Sequence, residues 1–353
     1  MISGVFVSYR SAALAARAIA TFREEARRAG REAEAIAVVN SGDAAERDAL
    51  APHADRVLLP PRNLGFAGGL NAGIAAARGG TFVLANPDLL FCAGSVAVLA
   101  GAAEAGGLLA AGPALFADAA RSVLLPPAEE ARPEELARRA LAADPARTAR
   151  VFRREARRAA AQAERAAAGE SAFVRGLSGA VVAVTRAALE AVGPFDERYP
   201  LYYEENDWQR RLLVRGGRLV YVGGAHVVHL FAQSARTEPR AAAWFAESEA
   251  RYYETHFGEA GKRGLARLAS CAPFEAPPLP VAGGLAWDDP APAAVAISPF
   301  RHFRPFALAL VPHGESRWTP PADLVAAHAG ETLFVRAFAR ATGATLAEAR
   351  LAG

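Results

Sequence analysis

Cysteine is nearly absent. Cys92 and Cys271 are the only two in 353 residues, too few for a disulfide framework and too far apart for the paired spacing of a zinc site. A reducing cytoplasm is the simpler setting. Lysine is scarcer still: Lys262 stands alone, and arginine carries the basic charge. The arginines are scattered among acids, leaving a formal net charge of only +3. No basic run with interleaved aromatics marks a nucleic-acid surface. The N-terminus, Met1-Ile-Ser-Gly-Val-Phe-Val-Ser8, lacks the basic region and cleavage pattern of a signal peptide and reads as a first strand. No apolar run spans a bilayer either. Leu89 to Phe116 comes nearest, but Glu104 and several glycines interrupt it, and a strand–helix–strand passage fits better. A soluble protein is expected, at most peripheral to a membrane.

The apolar content, 52%, is ample for a core, although much of it is alanine, which buries little area per residue. Val5 to Val7, Ala35 to Val39, Arg56 to Leu59 and Thr81 to Ala85 are short apolar runs. Helical periodicity over Leu14 to Ala29 and over Gly69 to Ala77 separates some of them. Strands alternating with helices predict a mixed, mostly parallel α/β sheet covered on both faces. In such sheets ligands gather outside the carboxyl ends of the strands. Three of these runs end in polar groups: Ser8-Tyr9, Asn40 with Asp43, and Asn86-Pro-Asp88.

From about 126 to 170 the composition turns to arginine, alanine and glutamate. Arg150, Arg153, Arg154, Arg157 and Arg158 fall at helical spacing on one face. A solvated helix is the plain reading; a lid, or a surface for anionic lipid or a phosphate-bearing acceptor, is the functional one. Strand character returns at Phe173 to Val184, and Trp244 to Phe257 is amphipathic. After a proline-rich break at Ala272 to Pro280, the runs Ala293–Ile297, Phe306–Val311 and Thr332–Arg336 suggest a small β-rich appendage. The expected division is therefore 1–270, with the arginine-rich segment as an insertion, and 281–353.

Three carboxylates, Glu204, Glu205 and Asp207, crowd the segment Leu201-Tyr-Tyr-Glu-Glu-Asn-Asp-Trp-Gln-Arg-Arg211. Acids beside large aromatics need a partner, a metal or a proton to handle. They also suit a helix N-terminus. Upstream, Arg62-Asn-Leu-Gly-Phe-Ala-Gly-Gly-Leu-Asn-Ala-Gly73 is a glycine-rich approach to a helix. It matches neither the dinucleotide fingerprint nor a Walker loop. It reads as a tight turn or a close backbone approach to phosphate, with Asn63 and Asn71 favouring ligand contact. Asn86-Pro-Asp88 is an ordinary turn by itself, or a strand-end carboxylate for Mg²⁺ or Mn²⁺. His226 reads as structural. His229 gains weight because Ser234 lies nearby and Asp88 would need a second protein ligand.

In this order the elements resemble the inverting glycosyltransferases of family 2, particularly their bacterial rhamnosyltransferase-like branch. The family's Asn-x-Gly-Phe-x-x-Gly-x-Asn-x-Gly loop is matched from Asn63 to Gly73, and Asn-Pro-Asp by Asn86 to Asp88. Ser178-Gly-Ala180, Gly193-Pro-Phe-Asp-Glu197, the acidic pair with Asp207 and Arg211, and His229 with Ser234 follow. The resemblance covers roughly residues 1–260. Two departures stand out. The usual Asp-Asn-x-Ser-x-Asp is shortened to Asn40-Ser-Gly-Asp43, and the acidic pair is Glu-Glu where Glu-Asp is commoner.

The resemblance implies a GT-A fold and transfer of a sugar from a UDP- or dTDP-sugar, dTDP-rhamnose among them, to a hydroxyl of a glycan or lipid-linked acceptor. It implies Glu205 as the base, with Glu204 and Asp207 in support. The donor would meet Ser8, Tyr9, Asn40, Asp43, Arg62, Asn63, Gly65, Gly68, Gly69, Asn71, Asn86, Asp88, Ser178 and Gly179. Asp88 and His229 would hold the divalent cation. Such an enzyme serves cell-surface polysaccharide synthesis from the cytoplasm or the inner membrane face. A sugar-nucleotide nucleotidyltransferase and a non-catalytic carbohydrate-binding protein are the alternatives. The first wants a basic glycine-rich loop after the first strand, which Ser8-Tyr-Arg-Ser11 does not provide; the acidic cluster weighs against the second.

Overall fold

A computed structural model of the chain describes residues 1–126, 128–230, 240–271, 276 and 278–351. In chain order the elements are β1 (Ile2–Ser8), α1 (Ala12–Arg28), β2 (Ala33–Val39), α2 (Ala44–Leu50), β3 (Arg56–Leu58), α3 (Gly65–Ala76), β4 (Thr81–Ala85), β5 (Leu89–Phe91), α4 (Ser95–Glu104) and β6 (Leu109–Phe116). There follow β7 (Val123–Leu124), α5 (Pro133–Ala143), α6 (Pro145–Ala167), β8 (Ser171–Val174), β9 (Val181–Thr185), α7 (Arg186–Val192), α8 (Glu204–Val214), β10 (Arg218–His229) and α9 (Ala241–Ala269). The last are β11 (Leu285–Ala286), β12 (Ala293–Ser298), β13 (Ala307–Leu310), β14 (Arg317–Trp318), α10 (Ala322–Ala327), β15 (Leu333–Ala339) and β16 (Thr345–Leu351). No helix among the described residues is long and apolar enough to cross a membrane. Ser234 lies outside the described residues, as does most of the proline-rich break.

The chain divides into two compact units. The first takes in Met1–Ala114, Pro127–Ala131 and Gly169–His256. Its sheet runs in the order β3-β2-β1-β4-β9-β6. The first four strands are parallel and β9 is antiparallel to β4, the mixed, mostly parallel α/β arrangement expected from the sequence. Every residue of β1 is buried, as suits a strand covered on both faces. Val5, Val7, Ile36, Val38, Phe82 and Val184 form the middle of the core.

The glycine-rich segment differs from its sequence reading. The helix begins at Gly65, four residues earlier than the periodicity indicates, so most of the glycines are helical. A Cβ on Gly69 would lie 2.8 Å from Val7 Cγ1, and one on Gly73 would collide with Val5 Cγ1. These glycines let α3 settle directly on β1. Two other departures have tertiary causes. The apolar run Leu219 to Val222 reads as a strand that ends before the histidines, yet β10 continues to His229 because β8 and β5 pair with its two ends. Ser178 to Ala180 form the turn leading into β9 and not part of a strand.

The second unit takes in Leu115–Pro126, Arg132–Ala168 and Phe257–Gly353. Its antiparallel sheet has the order β16-β15-β12-β13-β7, with β11 and β14 as a separate ribbon. Arg132–Ala168, the arginine-rich segment, groups with this unit and lies in sequence between pieces of the first. Phe152 of α6 packs edge-on against Phe303 and Phe338. Arg304 is paired with Glu135 of α5 and Glu155 of α6. Arg336, itself buried, lies between the rings of Phe152 and Phe303 and is paired with Glu348. The spacing of the arginines shows the helix but not the face that packs.

Candidate active site at the strand ends

A cavity of ≈ 280 Å³ opens at the carboxyl ends of β1, β2 and β4, just under the usual range of small-molecule sites. Tyr9, Asn40 and Asn86 to Asp88 line it from those three strand ends. Asn63, Gly65 and Phe66 enter from the start of α3, and Ser178 to Ala180 from the turn before β9. Pro200 to Tyr202 and Glu204 with Glu205 close another side, joined by His229 and by Trp244 of α9.

Asp88 and His229 meet because β5 and β10 pair with His229 opposite Leu89. Asp88 is 1% exposed, and its Oδ1 lies 3.3 Å from His229 Nε2. Adjacent ligands of an octahedral cation held at about 2.1 Å are ~3 Å apart, so this pair fits two neighbouring positions on one divalent ion. Among the described residues no group of three or more His, Cys, Asp or Glu side chains could hold a metal.

Tyr202 and Tyr203, just before α8, both have left-handed backbone (φ 66 and 67). Such residues cost ~1–3 kcal/mol each and persist only when their surroundings hold them. Here α9 does the holding. Ser248 Oγ donates to Leu201 O, the Tyr203 hydroxyl donates to Glu249 at 2.7 Å, and the Tyr203 ring packs on Tyr252 and Phe245. The turn delivers Glu204 and Glu205 to the first turn of α8.

The two glutamates differ. Glu204 is 4% exposed, and burial together with the neighbouring Glu205 charge holds its carboxyl well above the ordinary value. Glu205 is also raised by burial, but the helix-start amides and a hydrogen bond from Glu204 pull it back. The pair titrates as a unit, and Glu204 is the carboxyl held further above its ordinary value. Glu205 lies against Gly179: a Cβ there would be 2.7 Å from Glu205 Cγ.

Because the fold favours protonated carboxyls here, this pair's contribution to stability is complete below the ordinary carboxyl value of 4.5 and is lost as pH rises through the raised values. Glu204→Gln removes a buried group that resists ionisation. Its melting temperature should exceed that of the unchanged protein at pH 7, with the gap closing towards pH 4 in a thermal-shift series. A gap that stayed constant over that range would show that ionisation is not its cause.

Asp207 is placed elsewhere. Its Oδ2 accepts from Arg211 Nε and its Oδ1 meets His256 Nε2, both at 2.8 Å. Arg211 in turn donates to Val192 O and Pro194 O. Asp207 therefore ties α8 to α9 and to the Gly193–Glu197 segment. Trp208 is 1% exposed, stacked on Phe195 and donating to Gly193 O. It is core packing, and it does not line the cavity.

Of the donor-site candidates, Tyr9, Asn40, Asn63, Gly65, Asn86, Asp88, Ser178 and Gly179 line the cavity. Ser8, Asp43, Arg62, Gly68, Gly69 and Asn71 do not. Ser8 donates to Glu46, and Asp43 caps α2 through Ala45 N. Arg62 is exposed. A Cβ on Gly68 would meet Leu64 at 2.8 Å, with the Glu197 carboxylate just beyond. Asn71 holds Phe195 through two backbone hydrogen bonds and also reaches Glu197. Asn40, although in the lining, is occupied with the chain: its amide nitrogen donates to Asn63 Oδ1 and Gly65 O, and its oxygen accepts from Leu64 N.

Sequence reasoning missed several groups. Glu46 is buried and accepts from Ser8, Arg10 N, Ser11 N and Ser41, joining the ends of β1 and β2. An acid three residues after the cap at Asp43 was its only signal. Leu201, Tyr202 and Phe66 sat inside recognised motifs without a stated role, and Pro200 lay just before one. Trp244 lay in a run noted only as amphipathic.

Fold and site together define an α/β protein with a strand-end pocket that combines an adjacent pair of glutamates, Glu204 buried and Glu205 half-buried, with an Asp–His pair. No family model matches the chain. It is similar to N-acetylglucosaminyl-diphospho-decaprenol L-rhamnosyltransferase of Mycobacterium tuberculosis, strains CDC 1551 / Oshkosh and ATCC 25618 / H37Rv, at 44% identity over 63 residues. The match spans 18% of this chain and only 20% of either relative's length. Among solved structures, GalNAc-T7 with UDP, GalNAc and Mn²⁺ aligns with a TM-score of 0.49 at 13% identity, over 78% of this chain and 55% of that one. The mannosyltransferase PcManGT from Pyrobaculum calidifontis, in complex with GDP-Man and Mn²⁺, gives 0.42 at 15%, over 77% and 75%. S. aureus TarS 1-349 gives 0.45 at 11%, over 76% and 70%.

Proposed function

We propose that the protein is an inverting glycosyltransferase that moves a sugar from a UDP- or dTDP-sugar to a hydroxyl of a glycan or lipid-linked acceptor. One observation carries the reading: the carboxyl of Glu205 and the Asp88–His229 pair line the same cavity. The local likeness to a rhamnosyltransferase acting on a decaprenol-linked sugar supports it, and makes rhamnose and a lipid-linked acceptor the first choices. The work belongs to cell-surface polysaccharide synthesis, at the cytoplasmic face of the inner membrane.

Tyr9, Asn63, Gly65, Asn86, Ser178 and Gly179 bound the donor. An acceptor hydroxyl attacks the anomeric carbon from the face opposite the diphosphate. Glu205 takes the hydroxyl proton as the new C–O bond forms and the bond to the diphosphate oxygen breaks, which inverts the centre. Glu204, whose carboxyl is held well above its ordinary value by burial and by the Glu205 charge, resists ionisation beside the base, so a second negative charge at the site is disfavoured. Trp244 and Tyr202 offer aromatic faces on the acceptor side. Asp88 and His229 would hold a divalent cation, whose part is to neutralise charge on the departing nucleoside diphosphate.

The test is nucleotide release from a panel of UDP-, dTDP- and GDP-sugars, with and without Mn²⁺ or Mg²⁺. Metal-dependent release from one of them is expected. Pyrophosphate-dependent chemistry would indicate a nucleotidyltransferase, and binding without turnover a lectin-like protein. Asp88→Asn should lower Mn²⁺-dependent nucleotide binding at least tenfold in calorimetry, while metal-free binding is unchanged. An unaltered metal titration would remove Asp88 from the site.

A further inference from the structure

The exposed face of α6 has no counterpart in the reaction. Arg150, Arg153, Arg154, Arg157 and Arg158 are all exposed, while Phe152, Ala156, Ala160 and Ala163 on the other side are buried. None of the five arginines forms an ion pair or a side-chain hydrogen bond among the described residues. The helix has just two acids of its own, Glu155 and Glu164. Arg304 engages the first and Arg340 the second. Among the described residues of its own unit, nothing therefore compensates the charge of the stripe.

The like-charged i,i+4 pairs Arg150/Arg154, Arg153/Arg157 and Arg154/Arg158 each cost about 0.2–0.5 kcal/mol unless surface acids at i±3 or i±4 offset them. Elsewhere in this chain they do so: Arg27 and Arg28 pair with Glu24 and Glu25, and Arg138 pairs with Glu135. We infer that the Arg150–Arg158 face of α6 is a docking surface for an anionic lipid bilayer. A flat row of guanidinium groups, without aromatics or amides to read bases, complements a plane of phosphate headgroups better than a nucleic-acid groove. The surface deepens the reading of a lipid-linked acceptor. It rests on that reading only for why a membrane should be there.

The experiment uses the full-length protein and sedimentation with vesicles, without donor or acceptor, so that loss of binding and loss of sugar transfer are separate results. Vesicles of mixed phosphatidylcholine and phosphatidylglycerol should capture the protein, and phosphatidylcholine alone should not. Capture should vanish as salt brings the Debye length to about 3 Å. Replacing Arg150, Arg154 and Arg157 with Gln should weaken partitioning by about a hundredfold, from about fivefold per arginine. Gln keeps the helix propensity, so circular dichroism should not change. A control removes equal charge from the other unit, through Arg17, Arg56 and Arg215→Gln, and should cost less than a tenth as much. Equal losses in both triple variants would mean that net charge alone is responsible and would overturn the assignment. So would capture by neutral vesicles, or tighter binding to a DNA duplex than to anionic vesicles at the same salt.

Discussion

Glu205→Gln should lower turnover by ~10²–10⁴-fold, which is about 3–5 kcal/mol of transition-state stabilisation, while the donor's dissociation constant stays within about twofold. The amide matches the carboxylate in shape and keeps the helix-start hydrogen bonds, so the lost function is proton acceptance alone. Nucleotide release measured beside calorimetric donor binding separates the two effects. More than a tenth of the activity remaining would move the base elsewhere. Glu204 would then be the first suspect, since both Asp207 oxygens are engaged, by Arg211 and His256. A fall in donor affinity equal to the fall in turnover would assign Glu205 to binding.

Gly179→Ala should approach the same severity without removing any functional group. The added methyl would lie 2.7 Å from Glu205 Cγ and 2.9 Å from Cδ, so the carboxylate has to move. A displacement of about 1 Å can cost ~10²-fold in rate, and a loss of that order in kcat is expected with the melting temperature little changed. Shortening the base offers the rescue. Glu205→Asp withdraws one methylene, so Gly179→Ala with Glu205→Asp should be more active than the product of the two single effects allows. Strict additivity would show that the methyl acts on something other than the base. Family 2 enzymes, which this chain resembles, more commonly have Asp here; the longer Glu makes the space beside Gly179 more valuable.

Much of the first unit is written in local pattern. Apolar runs separated by helical periodicity mark β1, β2, β3 and β4, and the polar residues after β1, β2 and β4 mark the cavity rim. Motif order alone groups Asp88, His229, Glu204 and Glu205, because each sits at an element boundary with its own signal. Long-range packing was harder to read. The glycines of α3 look like a ligand loop in one dimension; only the positions of Val5 and Val7 show that they admit the sheet. Asn40 looks like a base-reading group at a strand end, but its whole amide is used on the turn at Asn63 to Gly65. The arginine-rich helix shows its exposed face in sequence and hides its partner, since Phe303 and Phe338 lie far along the chain. Trp244 had no signal, because it is one of several aromatics on an amphipathic helix, and such residues are ordinary core material.

The left-handed pair Tyr202–Tyr203 has a consequence for the order of assembly. Its backbone is held by Ser248, Glu249 and Tyr252, which leave the ribosome more than forty residues after the turn itself. A nascent chain ending near residue 240 already has the strands that floor the cavity, but nothing yet compels the turn that aims Glu205. Glu205, the proposed base, is therefore among the last parts of the site to be set. Until α9 docks, the chain has a pocket at its strand ends and no fixed carboxylate to make that pocket reactive.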